Sequence, residues 1–306
     1  MKWTRYLSWL LFCVILTGCS HHAAEKKYYV SFDTGDELRD YLAWTDDRVA
    51  LISAHRGGPE PGYPENCIAT FENALNYAPC LIECDVRISQ DSVLVMIHDK
   101  TLDRTCTGTG PVADHTLAEL KELQLKHNDG ATTAYVIPTL SEVLRWAKGR
   151  AIVEVDVKRP VIPEAIVATI QEHQAVAYTV VITYDTPKAM RYHELDPELM
   201  ISASARDMEG ARRLFASGID PANLLAFVGV YEPPESLYAL LHTKEVRAIL
   251  GTMGNLDRKA ERRGSKVYGE LIQNGADILA TDRVAPVAKA VGYLPRWSGE
   301  PAGVGR

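Results

Sequence analysis

The sequence predicts an α/β fold, a (β/α)8 TIM barrel, and three observations carry that expectation. From about Val49 onward, eight short apolar runs alternate with longer amphipathic stretches. The runs are near-continuously apolar, which is the pattern of parallel strands covered on both faces. At 306 residues the chain is long enough for one barrel-sized domain. An open doubly wound sheet is the competing architecture. No strand is followed by a glycine-rich nucleotide fingerprint, and TGTG at 107–110 is too short and in the wrong context, so it reads as a loop.

Ahead of the barrel pattern, Lys2 and Arg5 form a positive start, residues 7–16 are apolar, and Leu16-Thr17-Gly18-Cys19 follows. The apolar stretch is about half of the roughly 20 residues needed to span a bilayer, so it reads as a targeting segment. LTGC resembles the bacterial lipobox. That resemblance implies that residues 1–18 are a signal peptide cleaved before Cys19, and that Cys19 is lipidated on its thiol and amine. The expected location is the cell envelope of a bacterium, at the periplasmic or outer-membrane face, with acyl chains as the membrane contact. Residues 19–48 read as a tether and N-terminal segment, 49–292 as the barrel, and 293–306 as a loose tail without periodicity.

The barrel strands are expected to begin at Val49 (VALISA), Leu81 (LIECDV), Ala151 (AIVEVDV), Tyr178 (YTVVIT), Leu199 (LMISAS), Leu224 (LLAFVG), Val246 (VRAILG) and Asp277 (DILATD). Between them, ENCIATFENAL, SEVLRWA, PEAIVATIQEH and GARRLFASG carry helical patterning. Residues 101–139 are long for a strand-to-helix connection. They contain one helix-like piece, HTLAELKEL, and are expected to form an excursion over the barrel mouth after the second barrel strand, not a separate domain.

A formal net charge of −7 argues against non-specific nucleic-acid binding. Without Lys2 and Arg5 it becomes about −9 (−7 minus 2). Nothing points to an obligate protein partner. Cys67, Cys80, Cys84 and Cys106 remain in the mature chain, at spacings unlike a zinc site, and buried free thiols are one reading of them.

In a barrel of this kind, chemistry gathers at the C-terminal ends of the strands. His55 and Arg56 end the first strand, Glu83 and Asp85 the second, and Asp156 and Lys158 the third. With side chains alternating at period two, Glu83 and Asp85 share a face and Cys84 faces the helices. Buried carboxylates need a compensating cation, and carboxylate oxygens suit Ca²⁺ or Mg²⁺. A salt bridge to Arg56, Arg87 or Lys158 would explain any one carboxylate alone. Three of them beside His55 and His98 fit a divalent site flanked by a general acid and a general base. Arg56 and Lys158 supply positive charge for phosphate oxygens.

The ordered set HRGG, PENCIATFENA, IECDVR, HDKTLDRT, IPTLSEVL, DVK and GADILATDR closely resembles the glycerophosphodiester phosphodiesterases, over nearly all of residues 49–290. The resemblance implies a barrel that hydrolyses glycerophosphodiesters to sn-glycerol 3-phosphate and an alcohol. It implies catalytic roles for His55 and His98, metal ligation by Glu83 and Asp85, and substrate contacts near Glu65 and Asn66. The third ligand is usually a glutamate two residues before a lysine; here Asp156 precedes Lys158, with Glu154 one layer deeper as the alternative. Cys67 and Cys106 stand where the family commonly has threonine, which allows a Cys67–Cys106 disulfide. LGTMGNLD replaces a tryptophan-containing segment near the seventh strand, which alters the substrate wall.

The expected substrate is therefore a small phosphodiester, with Ca²⁺ or Mg²⁺ as cofactor. The alternatives are a phosphoinositide-type phospholipase C, the same phosphodiesterase chemistry on an unusual headgroup or glycan, and a non-catalytic ligand-binding lipoprotein.

Overall fold

The computed structural model describes residues 27–293; the signal-peptide expectation and Cys19 lie outside the described residues. The first element is α1 (Gly35–Leu42), capped by Thr34, with Asp36 and Glu37 at the positive end of the helix dipole. The strands are β1 (Leu51–Ala54), β2 (Cys80–Ile88), β3 (Leu94–Met96), β4 (Ile152–Val157), β5 (Thr179–Thr183), β6 (Met200–Ser204), β7 (Leu224–Gly229), β8 (Ala248–Gly251) and β9 (Ile278–Thr281). All but β3 pair in parallel, and β1 pairs with both β2 and β9, which closes an eight-stranded barrel. The eight apolar runs of the sequence are these eight strands. β3 lies antiparallel against the end of β2.

The helices after α1 are α2 (Ile68–Ala74), α3 (Leu117–Lys121), α4 (Leu140–Ala147), α5 (Pro163–Glu172), α6 (Thr186–Leu195), α7 (Met208–Phe215), α8 (Glu235–His242), α9 (Asn255–Arg263), α10 (Lys266–Gln273) and α11 (Val284–Ala290). Those flanking the barrel bury their apolar stripes against outward-facing Ile82, Cys84, Val86, Val153, Val155 and Leu279. Burial of each such aliphatic side chain contributes about 1.5–3 kcal/mol. At the start of α4, Thr139 and Glu142 form a reciprocal capping box, the structural meaning of the T-L-S-E run. Among the described residues, no helix is long and apolar enough to cross a membrane.

Inside the barrel, each strand contributes one residue to an apolar floor: Leu51, Leu81, Ile152, Val180, Met200, Leu225, Ile249 and Ile278. Leu38 and Leu42 of α1 are buried in the same cluster. The N-terminal segment ahead of the barrel therefore supplies the plug of the barrel's N-terminal end. Its hydrophobic spacing on one helix face supplies the physical reason.

Two further boundaries differ from expectation. α2 starts at Ile68, not at Glu65, because Asn66 has a left-handed φ of 56° and cannot lie in a helix. Tyr293 belongs to the fold, since its hydroxyl donates to the Ala50 carbonyl at 3.1 Å and its carbonyl accepts from Tyr28 at 3.1 Å. The excursion has its own small core of Val95, Ile97, Leu102, Leu120, Leu125 and Ile137. That core packs the excursion onto the barrel, so it is a lobe of the same domain.

Candidate active site

Period two turns the apolar floor into a polar mouth. Two residues above it, β1, β2 and β4 place Ser53, Glu83 and Glu154; four above, they place His55, Asp85 and Asp156. The same count gives Tyr184 after β5 and Asp282 after β9. Strand register sets neighbours side by side, with Asp85 opposite Asp156 and Glu83 opposite Glu154.

Glu83, Asp85 and Asp156 each bring one oxygen to within 4.8 Å of the others, and all three are buried. Lys158 Nζ bridges two of them, at 2.8 Å from Asp85 Oδ1 and 2.5 Å from Asp156 Oδ2. Arg56 Nε lies 3.7 Å from Asp85 Oδ2, but Arg56 is shared with Glu65. Negative charge therefore exceeds positive. Burial, then Asp85 and Asp156, push the Glu83 carboxyl well above its ordinary range. Burial also opposes the charge of Asp85, but Lys158 and Asn66 overcome it and hold that carboxyl below its ordinary range.

The donor set fits a hard divalent cation on one further observation. Asp156 is 6 % exposed, and its Oδ1 is buried with no hydrogen-bond partner. Such an atom is costly unless something electropositive meets it. Glu154 lacks this feature, because its Oε2 accepts a 2.6 Å hydrogen bond from Ser53. Among the described residues, the structure brings Asp156, and not Glu154, together with Glu83 and Asp85.

The HRGG run has a conformational cause. Arg56, Gly57 and Gly58 all have positive φ, at 53°, 85° and 72°. This turn directs the Arg56 backbone N–H onto Glu83 Oε2 at 2.6 Å. A Cβ on Gly57 would lie 2.3 Å from the Phe71 ring. The PEN run also has a structural task. Asn66 grips Asp85 twice, donating from Nδ2 to Oδ2 and accepting the Asp85 N–H, both at 2.8 Å. Glu65 accepts from Arg56 at 3.2 Å and from two Arg104 nitrogens at 2.8 Å. Both side chains are buried and engaged with protein. They position Asp85 and Arg56, and Glu65 also faces the cavity beside His55.

His55 Nδ1 lies 2.7 Å from Asp282 Oδ1, and His98 Nδ1 lies 2.7 Å from Asp99 Oδ1. An ionised carboxylate only accepts, so Nδ1 is the donor in each pair, which leaves Nε2 as the atom that can exchange a proton. His98 sits at the mouth because the Ile97 N–H bonds the Asp85 carbonyl at 2.9 Å and Arg87 donates twice to the His98 carbonyl. Hydrogen bonds from Arg104, then from His98, hold the Asp99 carboxyl far below its ordinary range.

A cavity of about 340 Å³ opens beside His55 and Arg56 and is walled by Glu65, Arg104, His127 and Asn128. His127 and Asn128 come from the excursion, which therefore borders the mouth. Opposite, Tyr184, Val230 and Tyr231 are exposed. Met253, from the LGTMGNLD stretch, packs with Phe227 onto the barrel interior. A larger groove of about 670 Å³ lies outside the barrel, between α2 and α4, and none of the candidate catalytic or metal-binding residues lines it.

Cys67 and Cys106 share the excursion core but are free thiols, as are Cys80 and Cys84. The disulfide alternative is therefore not realised. Burial pushes all four thiols above their ordinary range, which suits apolar packing. Asp282, Asp99, Arg104 and Tyr184 are site residues that the sequence reading did not assign. The period-two count reaches Tyr184 and Asp282, and adjacency to His98 reaches Asp99.

A family model described as the glycerophosphoryl diester phosphodiesterase family matches residues 55–238. A glycerophosphoryl diester phosphodiesterase structure from Parabacteroides distasonis is 36% identical, with a TM-score of 0.84, over 89% of this chain and 96% of that one. Curated glycerophosphodiester phosphodiesterases from Bacillus subtilis and Caldanaerobacter subterraneus are 31% and 34% identical, over 50% and 49% of this chain. Those matches span 58% and 65% of the two relatives. An Oleispira antarctica phosphodiesterase, solved with its product sn-glycerol-3-phosphate, shares the fold at a TM-score of 0.65 and 19% identity, over 79% of this chain and 97% of that one. With the family model covering more than half its length, this chain belongs to the glycerophosphoryl diester phosphodiesterase family.

Proposed function

We propose that this protein hydrolyses glycerophosphodiesters to sn-glycerol 3-phosphate and an alcohol, using Ca²⁺ or Mg²⁺ and two histidines. The observation that carries the reading is the mouth itself, where three converging carboxylates, one with an orphaned oxygen, stand with two carboxylate-anchored histidines. When bound, the cation would neutralise and polarise the phosphodiester. Arg56 and Lys158 add positive charge against the phosphate oxygens. One histidine takes a proton from the nucleophile as the new P–O bond forms; the nucleophile is water, or the substrate's own 2-hydroxyl, in which case a cyclic phosphate results and water opens it in a second step. The other histidine gives its proton to the leaving oxygen as the old P–O bond breaks. Asp282 and Asp99 keep the two rings in the tautomer this exchange requires.

Cys19 is proposed to carry the lipid anchor, which would hold the enzyme at the envelope beside its substrate. A panel of glycerophosphodiesters with Ca²⁺, Mg²⁺ or chelator, with products identified, tests the reading. It requires sn-glycerol 3-phosphate, cation dependence, and loss of turnover in folded His55→Ala and His98→Ala proteins. A cyclic inositol phosphate product would favour a phospholipase C, and binding without turnover would favour a ligand-binding lipoprotein.

A further inference from the structure

We propose that Tyr184 is a positioning residue for the cation site, its hydroxyl turning the Asp156 carboxylate so that Oδ1 is presented with the oxygens of Glu83 and Asp85. The inference rests on the cation reading above. Tyr184 Oη donates to Asp156 Oδ2 at 2.6 Å, and Lys158 Nζ donates to the same oxygen at 2.5 Å. Oδ1, on the other side of the same carboxylate, is buried and has no partner.

An aspartate carboxylate rotates about a broad, two-fold torsion, so one shared donor fixes it poorly. Lys158 is such a donor, because it is also bound to Asp85. The tyrosine supplies the second anchor and leaves Oδ1 unused. Its ring does not account for its position, since Tyr184 is 53 % exposed. The hydroxyl end is the part tied down. Partners that orient metal-binding side chains in this way typically account for 10–100-fold in metal affinity or activity.

The test is calorimetric titration of chelator-stripped protein with Ca²⁺ and with Mg²⁺, without substrate, for wild type and Tyr184→Phe. The phenylalanine keeps the ring and removes only the hydroxyl. The expected result is a roughly tenfold weaker cation Kd in Tyr184→Phe, with the stripped protein still folded by circular dichroism. In an Asp156→Asn background, the same substitution should have no further effect on any residual cation binding. Equal cation affinity in wild type and Tyr184→Phe overturns the inference and leaves the cation reading intact. A changed KM with unchanged cation Kd overturns it as well, and assigns the hydroxyl to substrate. A wild type that binds neither cation overturns the cation reading and this inference together.

Discussion

His55 Nδ1 lies 2.7 Å from Asp282 Oδ1, across 227 positions of chain. β1 and β9 are neighbours only because the barrel closes, so this contact is a direct product of closure. Replacing Asp282 with Asn keeps the shape but lets the amide donate, which favours the wrong imidazole tautomer. We expect kcat to fall about tenfold or more, and by less than in His55→Ala, where loss of a general acid or base costs on the order of 10²–10⁴. Cation affinity should not change. Steady-state kinetics with calorimetry check both statements.

The His98–Asp99 pair yields a pH dependence. Arg104 and His98 depress the Asp99 carboxyl, so it is ionised more readily folded than unfolded. A depressed acid contributes stability above its ordinary, unfolded value and loses it as pH falls through the folded value. Asp99→Asn should therefore melt below wild type at neutral pH, and the gap should narrow at pH values well below the ordinary carboxylate range. Because Arg104 is half exposed, the effect is expected to be about 1 kcal/mol or less. A gap that stays constant to the lowest pH would show that the pairing is not ionic.

Gly57 and Gly62 separate steric clash from backbone strain. Both have left-handed φ, at 85° and 92°, but an added Cβ meets the Phe71 ring at 2.3 Å only at Gly57. Gly62→Ala should cost about 1 kcal/mol from strain, and Gly57→Ala about 3 kcal/mol or more from strain plus overpacking. Chemical denaturation measures the difference. Equal losses would remove the clash from the explanation of HRGG.

The four free cysteines of the described residues predict redox insensitivity. Alkylation of the unfolded, unreduced protein should label Cys67, Cys80, Cys84 and Cys106, and a reductant should leave the melting temperature unchanged. A Cys67–Cys106 cross-linked peptide in a mass spectrum would contradict this.

The barrel was legible because each strand buries both faces and so reads as an apolar run. The carboxylates of β2 and β4 were legible because polar residues interrupt those runs at period two. Asp282 was not assigned, because its value depends on which strand closes beside β1, and no local pattern states that. Tyr184 obeys the same period, but a tyrosine at a strand end also suits packing. Glu65 and Asn66 were found as residues, but their grip on Arg56 and Asp85 appears only in the folded turn. Helix α1 carried a Thr34 cap and an acidic first turn, yet its purpose appears only when the open end of the barrel does.

The most direct measurement is ³¹P NMR of a glycerophosphodiester incubated with chelator-stripped protein, before and after Ca²⁺ or Mg²⁺ is added. The expected result is no conversion before addition, and afterwards loss of the diester resonance with growth of sn-glycerol 3-phosphate. A diester that survives both cations across the substrate panel, or is consumed equally in chelator, would contradict cation-dependent hydrolysis at Glu83, Asp85 and Asp156.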